Sequence, residues 1–93
     1  IIDDQQLEKA AETLKAVSHP ARLRIIEILE QGERSVTEIQ GFLGITQSLT
    51  SQHLSNMRVR GVLKSRKNGS MVYYSIANPD VVKVIHCIRQ GKH

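Results

Sequence analysis

The sequence has very little cysteine, few aromatic residues and no long apolar run. Cys87 is its single cysteine, which excludes an internal disulfide and the cysteine-paired frameworks of small secreted domains. A reducing cytoplasm is therefore the expected location. The apolar runs are far shorter than the roughly 20 residues that span a bilayer, so no membrane segment is expected. Aromatic residues make up only 3% of the chain, which disfavours RNA binding through stacked bases.

Catalytic motifs are missing as well. The chain has no nucleophile motif, no clustered carboxylates, no phosphate-binding glycine loop and no recognisable metal-ligand set, so an enzyme is not expected. Its 93 residues suffice for one small domain and are too few for two. We therefore expect residues 1–93 to form a single domain that binds no cofactor.

Negative charge is absent from a long central stretch. No carboxylate lies between Glu38 and Asp80, and the two halves of the chain differ in sign. Residues 1–45 carry five basic and eight acidic groups, a net charge of −3, whereas residues 46–93 carry eight basic and one acidic group, a net charge of +7. This segregation favours a surface that faces a polyanion, although a solvated basic face without a partner would give the same pattern.

The middle of the chain has the spacing of a helix-turn-helix. Pro20 suits the first position of a helix that runs towards Gly32, and Ser35 with Glu38 forms the S-x-x-E capping box of a short helix over 36–43. Gly44 ends that helix, and Thr46 is a good N-cap for the next one, which Gly61 terminates. A tight turn of about three residues thus joins two short helices.

A change of period from helical to alternating follows Gly61. In residues 71–76 the period is two, with Val72, Tyr74 and Ile76 on one side and Met71, Tyr73 and Ser75 on the other, which is typical of a strand. Residues 62–67 precede them across Asn68-Gly69. That dipeptide is the strongest short-range signal for a type I′ hairpin turn. The predicted fold is therefore mainly α with a small hairpin: a winged helix-turn-helix of about five helices and a two-stranded wing.

An amphipathic helix is predicted at each end of the chain, one before Pro20 and one after Pro79. A domain this small gains apolar burial by dimerising, so we expect the two apolar stripes to pair across a two-fold axis. The residues assigned to this dimer interface are Leu7, Ala11, Leu14, Val81, Val84, Ile85 and Ile88.

The outward face of the fourth helix is the candidate site. It is uncharged and rich in short hydrogen-bonding groups, as readout of base edges in the major groove requires. The helix N-terminus and nearby cations can contact phosphates, although cations on a hairpin also serve as solubilising groups. His53 is expected to pack inward beneath this helix, and His19 to cap the second helix. The residues assigned to DNA are Thr46, Gln47, Ser48, Ser51, Gln52, Ser55, Arg58, Arg66 and Lys67.

Three segments together resemble the ArsR/SmtB family of bacterial winged-helix repressors. They are SHPARLRIIEIL, SVTEIQGFLGITQSLTSQHLSNMRVRGVL and KNGSMVYYSI, and the resemblance covers nearly the whole chain. It implies a homodimeric repressor whose two fourth helices enter successive major grooves of a palindromic operator in double-stranded DNA. Gln47, Ser48, Ser51 and Gln52 match the family's base- and phosphate-contacting positions.

The chain departs from the sensors of that family. Ser35 and Thr37 stand where arsenic and lead sensors carry a Cys-x-Cys pair, and thiol sensors need a second cysteine where this chain has Glu27. Gly91 stands at one of the later zinc-ligand positions. The resemblance therefore implies that the known metal sites are absent or degenerate.

Two alternatives stay open at this stage. A winged helix can bind a protein partner instead of DNA, although Leu49 is the sole apolar candidate for such a contact on the fourth helix. A cross-dimer metal or redox site around Cys87 could also form with His86, His93 or Asp80. Control of the chain by an effector molecule and control by a protein partner both stay open.

Overall fold

Residues 1–91 are described by the computed structural model, and within them five helices pack beside a small sheet. No helix in this part of the chain is long and apolar enough to cross a membrane. The elements in chain order are α1 (Asp4–Val17), α2 (Pro20–Glu30), β1 (Arg34–Ser35), α3 (Val36–Leu43), α4 (Gln47–Val59), β2 (Leu63–Asn68), β3 (Met71–Ile76) and α5 (Asp80–Arg89).

Side-chain caps set the starts of the central helices, as predicted. His19 accepts a hydrogen bond at Nδ1 from the Ala21 amide, 3.0 Å away, and so caps α2. The predicted capping box is present at α3, where Ser35 and Glu38 each accept a backbone N–H of the other. Gly44 adopts a left-handed conformation with φ 66°, which ends α3 and lets α4 begin three residues later.

The core lies between α2 and the elements that pack around it. Only Arg24 among residues 21–30 is exposed, in agreement with the two apolar sides of this helix. The buried apolar residues come from every helix and from the β2–β3 hairpin: Ala16, Val17, Ile25, Ile26, Leu29, Ile39, Leu54, Met57, Val62, Leu63, Tyr74, Val81 and Ile85.

The sheet differs from the predicted wing in two respects. It has three antiparallel strands in the order β1-β3-β2, because the two-residue strand β1 pairs with β3; a strand so short shows no alternation in the sequence. Asn68 pairs with Met71, so the turn residues are Gly69 and Ser70. Only Gly69 has positive φ, at 63°, whereas a type I′ turn needs it at both central residues. The prediction of a type I′ turn at Asn68-Gly69 was therefore wrong, and the geometry is that of type II′.

The terminal helices divide the predicted apolar stripes between two environments. Val81 and Ile85 are buried in the subunit's own core, so they have little apolar surface left to offer a partner. In contrast, Leu7 and Leu14 on α1 and Ile88 on α5 are exposed. An open groove between α1 and α5, whose apolar lining includes Leu14 and Val84, runs along this side of the subunit.

Candidate nucleic-acid interface

The outer face of α4 is polar and uncharged over residues 47–55 apart from Leu49, and Arg58 and Val59 are exposed beyond it at the C-terminal end of the helix. Its inner face is anchored by Thr50, Leu54 and Met57, each 0% exposed, so the opposite side must face solvent. Five exposed residues line one shallow, open surface there, and all of them were predicted from the sequence: Gln47, Ser48, Ser51, Gln52 and Ser55.

The N-terminus of α4 has a defined cap. The Thr46 Oγ1 atom accepts the Leu49 amide proton at 3.1 Å, and the Thr50 hydroxyl donates to the Thr46 carbonyl at 2.9 Å. The capping oxygen of Thr46 is thus engaged, while its hydroxyl proton is still able to meet an acceptor. The first amides of the helix, with the positive end of its dipole, form a surface suited to a phosphate.

A polar cluster fixes α4 against α2. The Arg22 guanidinium donates from Nε to His53 Nδ1 at 3.1 Å and from Nη1 to Asn56 Oδ1 at 2.9 Å. The His19 ring lies 4.6 Å from the His53 ring, centroid to centroid. Burial, with smaller contributions from His19 and Arg22, lowers the pKa of His53 and favours the neutral imidazole that accepts from Arg22. The inward placement of His53 was predicted, but Arg22 and Asn56 were missed because their partners lie more than 30 residues away.

The basic residues fall into two groups, those held by carboxylates and those without an ion pair. Arg60 lies 3.6 Å from Glu12 of α1, across the fold. Arg58 and Lys67 are exposed and form no ion pair with any carboxylate of residues 1–91. Arg58 and Lys67 are therefore the predicted cations that solvent and a polyanion can reach directly.

The sequence led us to expect that Arg66 projects freely from the wing, and the structure shows that it does not. It lies on the third residue pair from the hairpin turn, where it forms a two-pronged salt bridge with Glu33 and stacks on Tyr73. The hydrogen bonds from Arg66 lower the pKa of Glu33, which is therefore ionised at neutral pH. The charge of Arg66 is balanced within the subunit.

The residues around Cys87 are engaged in other contacts. His86 Nε2 lies 2.9 Å from Glu30 Oε1, and Arg89 binds the same carboxylate, which lowers the pKa of Glu30 through hydrogen bonds from Arg89 first and His86 second. Asp80 pairs with Lys83 at 3.3 Å. Within residues 1–91 of one subunit, no three histidine, cysteine or carboxylate side chains are grouped to hold a metal ion. His93 lies outside the described residues.

The chain is similar to bacterial transcription regulators over nearly its whole length. Residues 19–65 match the family model described as bacterial regulatory protein, arsR family. The transcriptional repressor PagR of Bacillus anthracis is 44% identical over 85 residues, which are 90% of this chain and 85% of that protein.

Solved structures give the same result. HlyU from Vibrio cholerae superposes with a TM-score of 0.87 at 31% identity, covering 97% of this chain and 98% of that one. The domain of Mb0332 from Mycobacterium bovis, described as a homodimeric winged helix-turn-helix DNA-binding domain, has a TM-score of 0.80 at 30% identity over 95% of this chain and 84% of its own. The predicted winged helix-turn-helix fold is thereby confirmed, with the third strand added.

The depressed pKa of His53 predicts a specific dependence of stability on pH. In the unfolded chain His53 binds a proton as pH falls below about 6.5, whereas the folded chain binds it only at lower pH. The stability present above about pH 6.5 is therefore lost progressively as pH falls towards the folded-state pKa. His53→Gln keeps an acceptor for Arg22 and removes the titration, so its free energy of unfolding should fall less between about pH 7 and 5.5. Urea denaturation at several pH values measures this, and equal losses in both proteins would contradict it.

Proposed function

Because the chain belongs to the arsR family of bacterial regulatory proteins, it is a DNA-binding transcriptional regulator, and we propose that it acts as a homodimeric repressor in which α4 reads a palindromic operator. One observation carries this proposal: α4 presents an exposed, uncharged face of hydrogen-bonding side chains while its opposite face is completely buried. A helix held in this way can enter a major groove without moving relative to its domain.

The exposed face of α4 supplies the base contacts. Gln47 and Gln52 carry amides that can bind adenine N6 and N7 together, and Ser51 can donate to or accept from a base edge. Thr46 and Ser48 lie at the helix N-terminus, where they and the first amides meet a phosphate. Ser55 follows one turn after Ser51, so it reaches the edge of the same groove.

Cations outside this face supply affinity that does not depend on sequence. Arg58 lies in the last turn of α4 and Lys67 near the tip of the wing, and both lack an intramolecular ion pair among residues 1–91. Each phosphate that such a cation neutralises releases counterions, which makes binding sensitive to salt.

The terminal helices form the dimer interface in this proposal. The proposed interface residues are apolar, lie on α1 and α5, and are not part of the subunit core: Leu7, Ala11, Leu14, Val84 and Ile88. Leu7 and Leu14 are 51% and 59% exposed and lie two turns apart on the same face of α1, and an exposed apolar stripe of this kind marks an interaction site. A two-fold axis that passes through this interface brings the same apolar stripe of both subunits into contact and doubles the DNA contacts.

The proposal includes no catalytic step and no bound metal. It places the protein in the cytoplasm, where the DNA of a bacterium lies. The Glu30 carboxylate already binds His86 and Arg89, which leaves His86 poorly placed to join Cys87 as a ligand. In this proposal, repression is relieved by an effector or a protein partner and not by the metals that the family's metal sensors bind.

Gln52→Ala and Lys67→Ala separate base reading from phosphate binding. On an operator selected from random duplexes, Gln52→Ala should relax the preference at one base pair per half-site and cost about 1–3 kcal/mol. Lys67→Ala should weaken binding to all sequences alike and make the slope of log affinity against log salt shallower by about 0.9 for each phosphate that is no longer neutralised. The measurement is titration of the operator and of a scrambled duplex at several salt concentrations. Equal proportional losses on both duplexes for both variants would contradict the assignment.

Leu14→Lys tests the dimer interface. A lysine there removes apolar burial worth about 1.5–3 kcal/mol per side chain. Each subunit of a two-fold dimer carries the substitution, so the loss occurs twice. The dimer dissociation constant from sedimentation equilibrium should rise by more than about tenfold. Phe42→Lys is the matched control, because Phe42 is 65% exposed on α3 and lies outside the proposed interface. An unchanged dimer in Leu14→Lys, or equal weakening in the control, would contradict the proposed interface.

A further inference from the structure

The Glu33–Arg66 salt bridge joins the wing to the loop that precedes β1. Glu33 lies in the loop between α2 and β1, and Arg66 lies on β2, 33 residues later. The guanidinium Nε donates to Oε2 and Nη2 donates to Oε1, both at 2.7 Å, which is the two-pronged geometry that distinguishes strong arginine–carboxylate pairs.

Tyr73 supports the same guanidinium from a second direction. Arg66 and Tyr73 are directly opposite each other on β2 and β3, and the guanidinium carbon lies 4.7 Å from the centre of the ring. The aromatic face and the carboxylate together restrict the rotation of the long side chain. Arg66 is half exposed, yet two of its hydrogen-bonding positions face Glu33 and its plane faces Tyr73.

Glu33 brings a negative charge into an otherwise basic surface. The Arg34 guanidinium donates to the Glu33 backbone carbonyl at 3.0 Å, and Lys64 on β2 also contributes to lowering the pKa of the Glu33 carboxyl group. The hairpin itself holds no carboxylate, since none occurs between Glu38 and Asp80. Glu33 is thus supplied to the wing from a distant part of the chain.

A phosphate and a carboxylate compete for one guanidinium, because both offer two oxygen acceptors in the same geometry. We propose that Glu33 is a specificity-determining residue: it holds Arg66 against the sheet and withholds this cation from the DNA backbone. The inference rests on the proposed DNA binding and adds to it a residue that acts through Arg66.

The consequence is lower affinity for DNA of any sequence. A phosphate contact stabilises specific and non-specific complexes alike and carries no sequence information. With Arg66 withheld, the wing retains Lys64 and Lys67 as exposed cations without an ion pair among residues 1–91, and base contacts from α4 make up a larger share of the binding.

The test measures the salt dependence of binding to a labelled duplex of scrambled sequence, from about 50 to 200 mM salt. Glu33→Gln keeps the size of the side chain and removes its charge. It should increase affinity for the scrambled duplex several-fold at the low-salt end and steepen the slope of log affinity against log salt by about 0.9, the value for one added phosphate contact. Affinity for the selected operator should rise less, so the ratio between the two duplexes should fall.

Arg66→Ala and the double variant supply the controls. Arg66→Ala alone should leave the slope of log affinity against log salt unchanged, because Arg66 does not reach a phosphate in the native protein. Glu33→Gln combined with Arg66→Ala should return the slope to the native value. A general effect of removing one negative charge would instead steepen the slope from Arg66→Ala to the double variant by as much as from the native protein to Glu33→Gln.

Each remaining outcome overturns the inference. A slope shallower by about one unit in Arg66→Ala would show that Arg66 already binds phosphate, and an unchanged or shallower slope in Glu33→Gln would show that Glu33 only orders the wing. A native protein that binds neither duplex would overturn the proposed function itself. Binding by the native protein with no response in Glu33→Gln would overturn this inference alone.

Discussion

The complete burial of one face of α4 is the constraint on which the rest of the site depends. Thr50, Leu54 and Met57 fill the space beside α2, and Arg22 ties the same helix to α2 through His53 and Asn56. These contacts hold α4 with the same side towards the core, so its five outward residues stay on the solvent side. The chemistry of that face, with amides and hydroxyls and no charge, then suits base edges better than it suits an apolar partner.

Ion pairs between the two halves of the chain decide which cations a polyanion can reach. The acidic first half folds against the basic second half, so that Glu12 meets Arg60, Glu30 meets Arg89 and Glu33 meets Arg66. The charge difference that is conspicuous in the sequence is thereby partly neutralised inside each subunit. Arg58, Lys64 and Lys67 form no ion pair among residues 1–91, which leaves positive charge near the end of α4 and along the wing.

Local signals explain what the sequence predicted correctly. Pro20, the Ser35–Glu38 box, Gly44 and Thr46 act through backbone groups within a few residues, so their effect on helix bounds can be inferred without the fold. The polar face of α4 follows from helical periodicity for the same reason. Even the hairpin was located correctly, although its turn is shifted by one residue because Asn68 pairs with Met71.

Contacts between distant residues explain the features that the sequence did not predict. The Glu33–Arg66 and Arg22–Asn56 pairs join residues 33 and 34 positions apart, and nothing in a single sequence marks such partners. The same holds for the stripe on α5, where periodicity identifies an apolar face but cannot divide it between the subunit core, which takes Val81 and Ile85, and a partner, to which Ile88 remains available.

The most direct test of the central claim is a hydroxyl-radical footprint of the native protein on its selected operator. Two α4 helices in successive major grooves should protect two half-sites with centres about 10 base pairs, or 34–36 Å, apart and related by a two-fold axis. Methylation of guanine N7 within each half-site should interfere with binding, because that atom faces the major groove. A single protected half-site, or protection without any interference from major-groove methylation, would contradict this mode of binding.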